Sequence, residues 1–232
     1  MRGWLRRNRT TVTVTAAVLV VLVTLSVLSV RNVGHSGELD PDNDRPDGAQ
    51  AVARVLDRHG VDVTVVRDAR AFADATVDQD TTVVVTSTFS LGRSTAVALD
   101  WHTVSAGALV LATPSPTTVR TLRLPVAAAA VATGDRTPAG CTDDALVGLR
   151  LDVGVSVGYR PTGSADAERC FPVRSDPPTS LVLRVDRTVP TYVVGGTEML
   201  TNGRVLRADN AAAALRLLGQ HDRLVWYVPD PL

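Results

Sequence analysis

Several polar residues that could take part in chemistry follow one predicted strand near the C-terminus. That strand, residues 191–194, leads into a Gly-Gly turn and then into hydroxyl, carboxylate and amide side chains: Thr197, Glu198, Asn202, Asp209 and Asn210. Ligands of open α/β sheets bind outside the carboxyl ends of the strands, so this group predicts a contact with a ligand or a partner protein. The structural alternative is that Asn202, Asp209 and Asn210 only close turns and cap a helix.

A second group of residues raises the question of catalysis. Ser87 and Ser90 follow the predicted strand 81–86, and His102 lies on the next predicted helix. A serine nucleophile needs a tight strand-to-helix turn of the Gly-x-Ser-x-Gly type, and the glycines are missing at that spacing. We therefore predict a protein that is not an enzyme. The alternative is a hydrolase or transferase that uses Ser87 or Ser90 with His102.

Neither a metal nor a cofactor is predicted. The four histidines are isolated, and none forms a pair with the spacing of zinc ligands. Gly195-Gly196 lacks the third glycine of a dinucleotide-binding turn. Nucleic acid is also not expected as a partner, because 24 basic residues are balanced by 24 acidic ones and the two are interleaved.

The N-terminus predicts a membrane protein. Residues 1–9 carry four arginines, and the uncharged run Thr10 to Val30 is long enough to cross the bilayer, at about 1.5 Å per residue. The positive-inside rule places residues 1–9 in the cytoplasm and the rest of the chain outside the cell membrane. A cleaved signal peptide is the alternative, with Val27 and Ser29 as a weak peptidase site.

Beyond the span, residues 31–45 are polar and predict a tether, and residues 46–232 predict one extracytoplasmic α/β domain. A helix opening at Pro46 and ending at Gly60 precedes a strand at 61–66, and helices and strands then alternate, which favours a mostly parallel sheet between two helical layers. Residues 126–133 fit either a strand or a short helix, and the segment between the cysteines predicts loops and hairpins that decorate the sheet. A capped helix after Asp209 and a last strand at 224–228 complete the pattern.

Cys141 and Cys170 both lie in the predicted external part, where thiols are oxidised. We expect a disulfide between them, which would close a loop of about 30 residues and contribute about 3.6 kcal/mol by loop entropy. Two separate buried thiols are the alternative.

Three pieces of the chain together resemble a known family: the arginine-flanked span, LDPDNDRPDGAQAVARVLDRHGVDV, and GGTEMLTNGRVLRADNAAAALRLLGQHDRLVWYVP. The chain resembles bacterial membrane proteins of the domain of unknown function 4350 family. The resemblance implies an extracytoplasmic α/β domain similar to class I glutamine amidotransferases, without the catalytic Cys, and a role in a membrane assembly linked to a MoxR-type ATPase. Family members usually continue into a second membrane span, whereas this sequence stops at Leu232.

Overall fold

The computed structural model describes residues 37–134 and 136–229. The helices in these ranges are α1 (Gln50–Arg58), α2 (Ala69–Asp74), α3 (Arg93–His102), α4 (Pro116–Thr121) and α5 (Asn210–Leu218), with 3-10 turns at Thr88–Ser90 and Thr197–Leu200. The strands are β1 (Asp62–Val66), β2 (Thr81–Val85), β3 (Ala108–Ala112), β4 (Val126–Ala132), β5 (Thr137–Pro138), β6 (Arg150–Leu151), β7 (Val155–Pro161), β8 (Ala167–Val173), β9 (Thr179–Asp186), β10 (Pro190–Val194) and β11 (Arg223–Tyr227).

The main sheet has nine strands, in the order β1-β11-β2-β3-β10-β9-β7-β4, with β8 also paired to β9. The five strands from β1 to β10 in that order pair in parallel. The prediction of a mixed α/β domain with a parallel central sheet is thus confirmed. The pairs beyond β10 are antiparallel, because residues 126–186 return by direct connections and not through helices.

The core lies on both faces of this sheet. β2 and β3 are buried along their whole length, which explains why they are continuous runs of apolar residues and threonine. On one face, Val84 and Val110 join a cluster with α1 and α5. On the other face, Val83 and Val85 join a cluster with α2 and α3. Helices on both faces give the three layers predicted from the alternation of elements.

The segment before α1 differs from its prediction as a tether. Residues 37–45 pack against the domain: Leu39, Asp40 and Asn43 are buried, and Asp40 forms a salt bridge of 2.8 Å with Arg67. The tether predicted over 31–45 is therefore too long at its carboxyl end. The predicted helix start at Pro46 is also wrong, since α1 begins at Gln50 after a turn in which Ala49 N–H donates to Asp40 O.

The middle of the chain is likewise more regular than predicted. Residues 126–132 form a strand, β4, which resolves the strand-or-helix alternative. Between the cysteines, β7 and the first part of β8 belong to the main sheet, so they extend it and do not merely decorate it. Glycines obscured this pattern in the sequence: Gly163 lies in a turn, whereas Gly158 lies within β7.

The membrane prediction falls on residues that the structure does not describe. The span predicted at residues 10–30 and the basic segment 1–9 lie outside the described ranges. Among the described residues, no helix has the length and apolar character needed to cross a bilayer.

Candidate functional site

The parallel strands bring several polar residues to one edge of the sheet. β2, β3 and β10 run in the same direction, so the residues that follow them meet at their carboxyl ends. There, a cavity of about 150 Å³ is lined by Glu38, Leu39, Ser87, Thr88, Phe89, Ala112, Thr113 and Thr197. We refer to it as the carboxyl-edge cavity.

The two loops that line this cavity have strained backbones. Ser87, after β2, has a φ of 49°, and Thr113, after β3, has a φ of 43°. Non-glycine residues seldom adopt this left-handed conformation, and such strain persists only where the surroundings fix it. Here Thr88 Oγ1 donates to Thr113 O at 3.1 Å and accepts from Ser115 N–H at 2.9 Å. The hydroxyl of Thr88 therefore ties the two loops together.

Of the five residues predicted to form the site, Thr197 lines the carboxyl-edge cavity. Glu198 is turned toward the loop before β7, where its Oε2 accepts a hydrogen bond from Gly154 N–H at 2.6 Å. Arg204 lies 3.6 Å from the same carboxylate. Thr197 and Glu198 are thus adjacent in sequence, but Thr197 lines the cavity whereas Glu198 binds the loop before β7.

The two asparagines of the predicted site bind backbone groups. Asn202 accepts from Ala51 N–H and donates to Asn43 O and Arg45 O. It also borders a shallow groove of about 360 Å³ along α1. Asn210 is fully buried; its Oδ1 accepts from Asp152 N–H, and its Nδ2 donates to Asp152 O and Arg204 O.

Asp209 occupies the N-cap position of α5, as predicted, but its side chain does not cap that helix. Its Oδ2 instead accepts from Arg150 N–H at 2.9 Å, because β6 lies beside the start of α5. The bonds of Asn202 and Asn210 to backbone groups are those that the structural alternative of the sequence analysis expects, whereas Asp209 does not cap its own helix. Their part in ligand or partner contact stays a prediction.

The structure separates the residues of the enzymatic alternative. Ser87 lines the cavity at the start of the turn before α3, whereas His102 is the last residue of α3. The ten residues of that helix span about 15 Å. His102 Nε2 bonds to Ala75 O at 2.9 Å, and its ring packs edge-on against Phe72. Among the described residues, no histidine lines the carboxyl-edge cavity.

A larger apolar groove adjoins this cavity. It has a volume of about 400 Å³, and Phe89 and Thr113 line both spaces. Phe89 is 76% exposed, which is unusual for a large aromatic side chain. Sequence reasoning missed Phe89, Glu38 and Thr113; the only available signal was that Thr113 directly follows a buried strand.

The predicted disulfide is confirmed. Cys141 and Cys170 are bonded, with their Cα atoms 5.1 Å apart. Glu168 lies within 4.8 Å of both sulfur atoms, but because the two thiols are joined to each other they offer no thiolates to a metal. Asp143, two residues after Cys141, is buried, and its Oδ2 accepts from the Tyr192 hydroxyl at 2.9 Å. Burial, and then the negative charge of Asp143, raise the pKa of Tyr192.

These features define a class of protein: an α/β domain with a mostly parallel central sheet, a cavity at the carboxyl ends of its parallel strands and one disulfide. The chain belongs to the family described as Domain of unknown function (DUF4350), whose model matches residues 41–218. It is 33% identical over 224 residues to "Uncharacterized membrane protein Rv3691" of Mycobacterium tuberculosis. That match covers 96% of this chain and 55% of the relative, so the chain spans about half the length of that protein. No solved structure matches the chain.

Proposed function

We propose that the chain is a non-enzymatic, single-span membrane protein whose extracytoplasmic domain binds a protein partner or a small polar ligand. The single observation that carries this proposal is the carboxyl-edge cavity, whose lining includes four serine and threonine residues and Glu38. The family relative described as a membrane protein supports the membrane location. The span at residues 10–30, the outward orientation and the likeness to glutamine amidotransferases are parts of the proposal.

The chemistry of the cavity favours a ligand that both donates and accepts hydrogen bonds. Hydroxyl groups can do either, whereas the Glu38 carboxylate only accepts when ionised. A volume of about 150 Å³ suits a few heavy atoms, such as one polar side chain of a partner. The exposed ring of Phe89, which borders the cavity, would supply the apolar contact that anchors such a side chain.

A non-enzymatic role is favoured by the surroundings of Ser87. The described part of the chain places no histidine at the cavity, and a serine hydroxyl is a weak nucleophile unless a base takes its proton. The family resemblance extends the proposal to a membrane assembly with a MoxR-type ATPase. That association rests on the resemblance alone.

Photo-crosslinking in native membranes tests the binding site. A benzoylphenylalanine residue replaces Phe89 in the full-length protein, and the matched control replaces Trp101, which is equally exposed, at 76%, but lies at the other end of α3. We expect a discrete adduct from position 89 and none of that size from position 101. The substitution Thr197→Val, which removes one cavity hydroxyl, should abolish the adduct. Equal adducts from both positions, or an adduct that Thr197→Val leaves unchanged, would overturn the assignment of the site.

A fluorophosphonate probe tests the enzymatic alternative on the same preparation. Such probes label serines that an adjacent base activates. We expect that neither Ser87→Ala nor Ser90→Ala reduces the labelling of the protein. Labelling lost in either variant, and also lost in His102→Ala, would establish a serine enzyme.

A further inference from the structure

β4 is a terminal strand of the sheet formed by residues 37–134 and 136–229. Its seven residues all pair with β7, from Val126 opposite Pro161 to Ala132 opposite Val155, without a bulge. In the part of the chain that the structure describes, no strand pairs with the other side of β4. A full row of backbone donors and acceptors is therefore available along that side.

The composition of β4 does not protect this edge. Proteins usually guard an edge strand with charges, a proline or a bulge, and β4, with the sequence VAAAAVA, has none of them. β1, the strand at the opposite end of the sheet, carries Asp62 and the exposed Thr64. Ala128, Ala129 and Ala130 are all exposed, so core packing does not explain them, and alanine is not favoured in strands.

We propose that β4 pairs antiparallel with β4 of a second copy of this chain, about a two-fold axis at Ala129. Opposite residues in an antiparallel pair share one face of the sheet. A shift of the pairing by one residue would therefore place the apolar faces of the two copies on opposite sides of the joined sheet. Among the registers that keep the faces aligned, the one that places Ala129 opposite itself pairs all seven residues. The remaining pairs are Ala128 with Ala130, Ala127 with Val131, and Val126 with Ala132.

Charge and surface character favour a second copy as the occupant. A neutral strand meets an identical strand without repulsion, and short alanine side chains let two backbones approach over the whole length. The face that carries Ala128 and Ala130 continues onto β7 with Val157 and with Val155, which is 80% exposed. Pairing would join this apolar face to its equivalent in the partner. For an anchored protein, confinement to a membrane raises the effective concentration, so a modest interface suffices.

A cysteine scan in membranes that contain the full-length protein tests the register. A residue opposite itself has its two Cα atoms about 4.5–5.5 Å apart, within the range that a disulfide spans. Ala129→Cys should therefore give a covalent dimer on a non-reducing gel. The control is Ala132→Cys, equally exposed on the same strand, whose two copies would lie about 20 Å apart. Equal crosslinking of the two variants, or none, would overturn the proposal.

A charge-swap experiment tests self-association itself. Ala129→Arg and Ala129→Glu each place like charges across the axis, and each variant alone should fail to co-purify with a differently tagged copy of itself. When the two variants are co-expressed, opposite charges face each other, and co-purification should return. Self-association that survives in either single variant would refute pairing through β4. Pairing through β4 would also be refuted if the two co-expressed variants failed to co-purify while each had the thermal stability of the wild type. A smaller protein that crosslinks to Ala129→Cys in place of a second copy would instead identify a partner strand and reject the homodimer.

Discussion

Asn202 and Ala51 are 151 residues apart in the sequence, yet Asn202 Oδ1 accepts a hydrogen bond from Ala51 N–H at 2.8 Å. Ala51 is in the first turn of α1, where backbone N–H groups lack partners within the helix. Ala49, at the N-cap position, has no side-chain acceptor to offer. Asn202 thus caps α1 from a distant part of the chain and ties the segment 37–49 to the loop before α5.

Asn202→Ala should destabilise the domain by about 2 kcal/mol, because it removes three hydrogen bonds and leaves backbone groups without partners. We expect the Tm to fall by about 4–8 °C in thermal denaturation. Asn202→Asp keeps the acceptor oxygen and loses the donor amide group. Its Tm should lie between that of the wild type and that of Asn202→Ala. An unchanged Tm for Asn202→Ala would contradict this capping role. Binding tests are better made at Thr197, where loss of a partner is not confused with loss of folding.

Replacement of Cys141 and Cys170 together by serine should lower the free energy of unfolding by about 3.6 kcal/mol, since the bridge closes a loop with a sequence separation of 29 residues. Denaturant titration of the double variant measures this loss. The free energy of unfolding of the wild type should also fall when a reducing agent is added. Coincident denaturation midpoints for the oxidised and reduced proteins would show that the bridge contributes nothing.

All three tyrosines of the chain should resist ionisation in the folded protein. Burial raises the pKa of Tyr159, Tyr192 and Tyr227 above the ordinary value of about 10, and the charges of Asp143 and Asp68 add to the shift at Tyr192 and Tyr227 respectively. A raised folded-state pKa contributes stability that is fully present below pH 10 and is lost as the pH rises toward the folded-state value. Ultraviolet absorbance of tyrosinate should therefore rise only together with alkaline unfolding, monitored by circular dichroism. A tyrosine that ionises near pH 10 in folded protein would disprove this.

Gly195→Ala should be strongly destabilising, by about 3 kcal/mol, because a Cβ there would lie 1.6 Å from the carbonyl oxygen of Val157. Gly195 follows β10 at the carboxyl edge, where β7 passes close to it. The matched control is Gly134→Ala, whose Cβ meets no atom within 4 Å. The free energy of unfolding of Gly134→Ala should differ from that of the wild type by no more than about 0.5 kcal/mol. Equal Tm values for the two variants would mean that the β7 backbone yields to the added methyl group.

The parts of the fold that could be predicted are those that local patterns determine. β2 and β3 are uninterrupted runs of residues suited to a buried strand, and Gly60 ends the first helical segment with a positive φ. The disulfide followed from there being only two cysteines in a segment predicted to lie outside the cell.

Long-range contacts determine the parts that could not be predicted. Residues 37–45 resemble a solvated linker, and they are ordered by partners such as Arg67 and Asn202 that lie far along the chain. The same holds for the cavity, since Glu38, Thr113 and Thr197 meet only when β3 and β10 are neighbours. In a sequence, a polar residue that binds backbone groups, such as Asn210, also resembles one that binds a ligand.

The position of β11 has a consequence for biosynthesis. β11 lies between β1 and β2, so β1 has no place in the sheet until residues 223–227 have been translated. β1 must therefore remain on the ribosome without its neighbour while the segment from β2 to β10 is made. The emergence of β11, and not of any earlier segment, is the event that permits these strands to join in their native order.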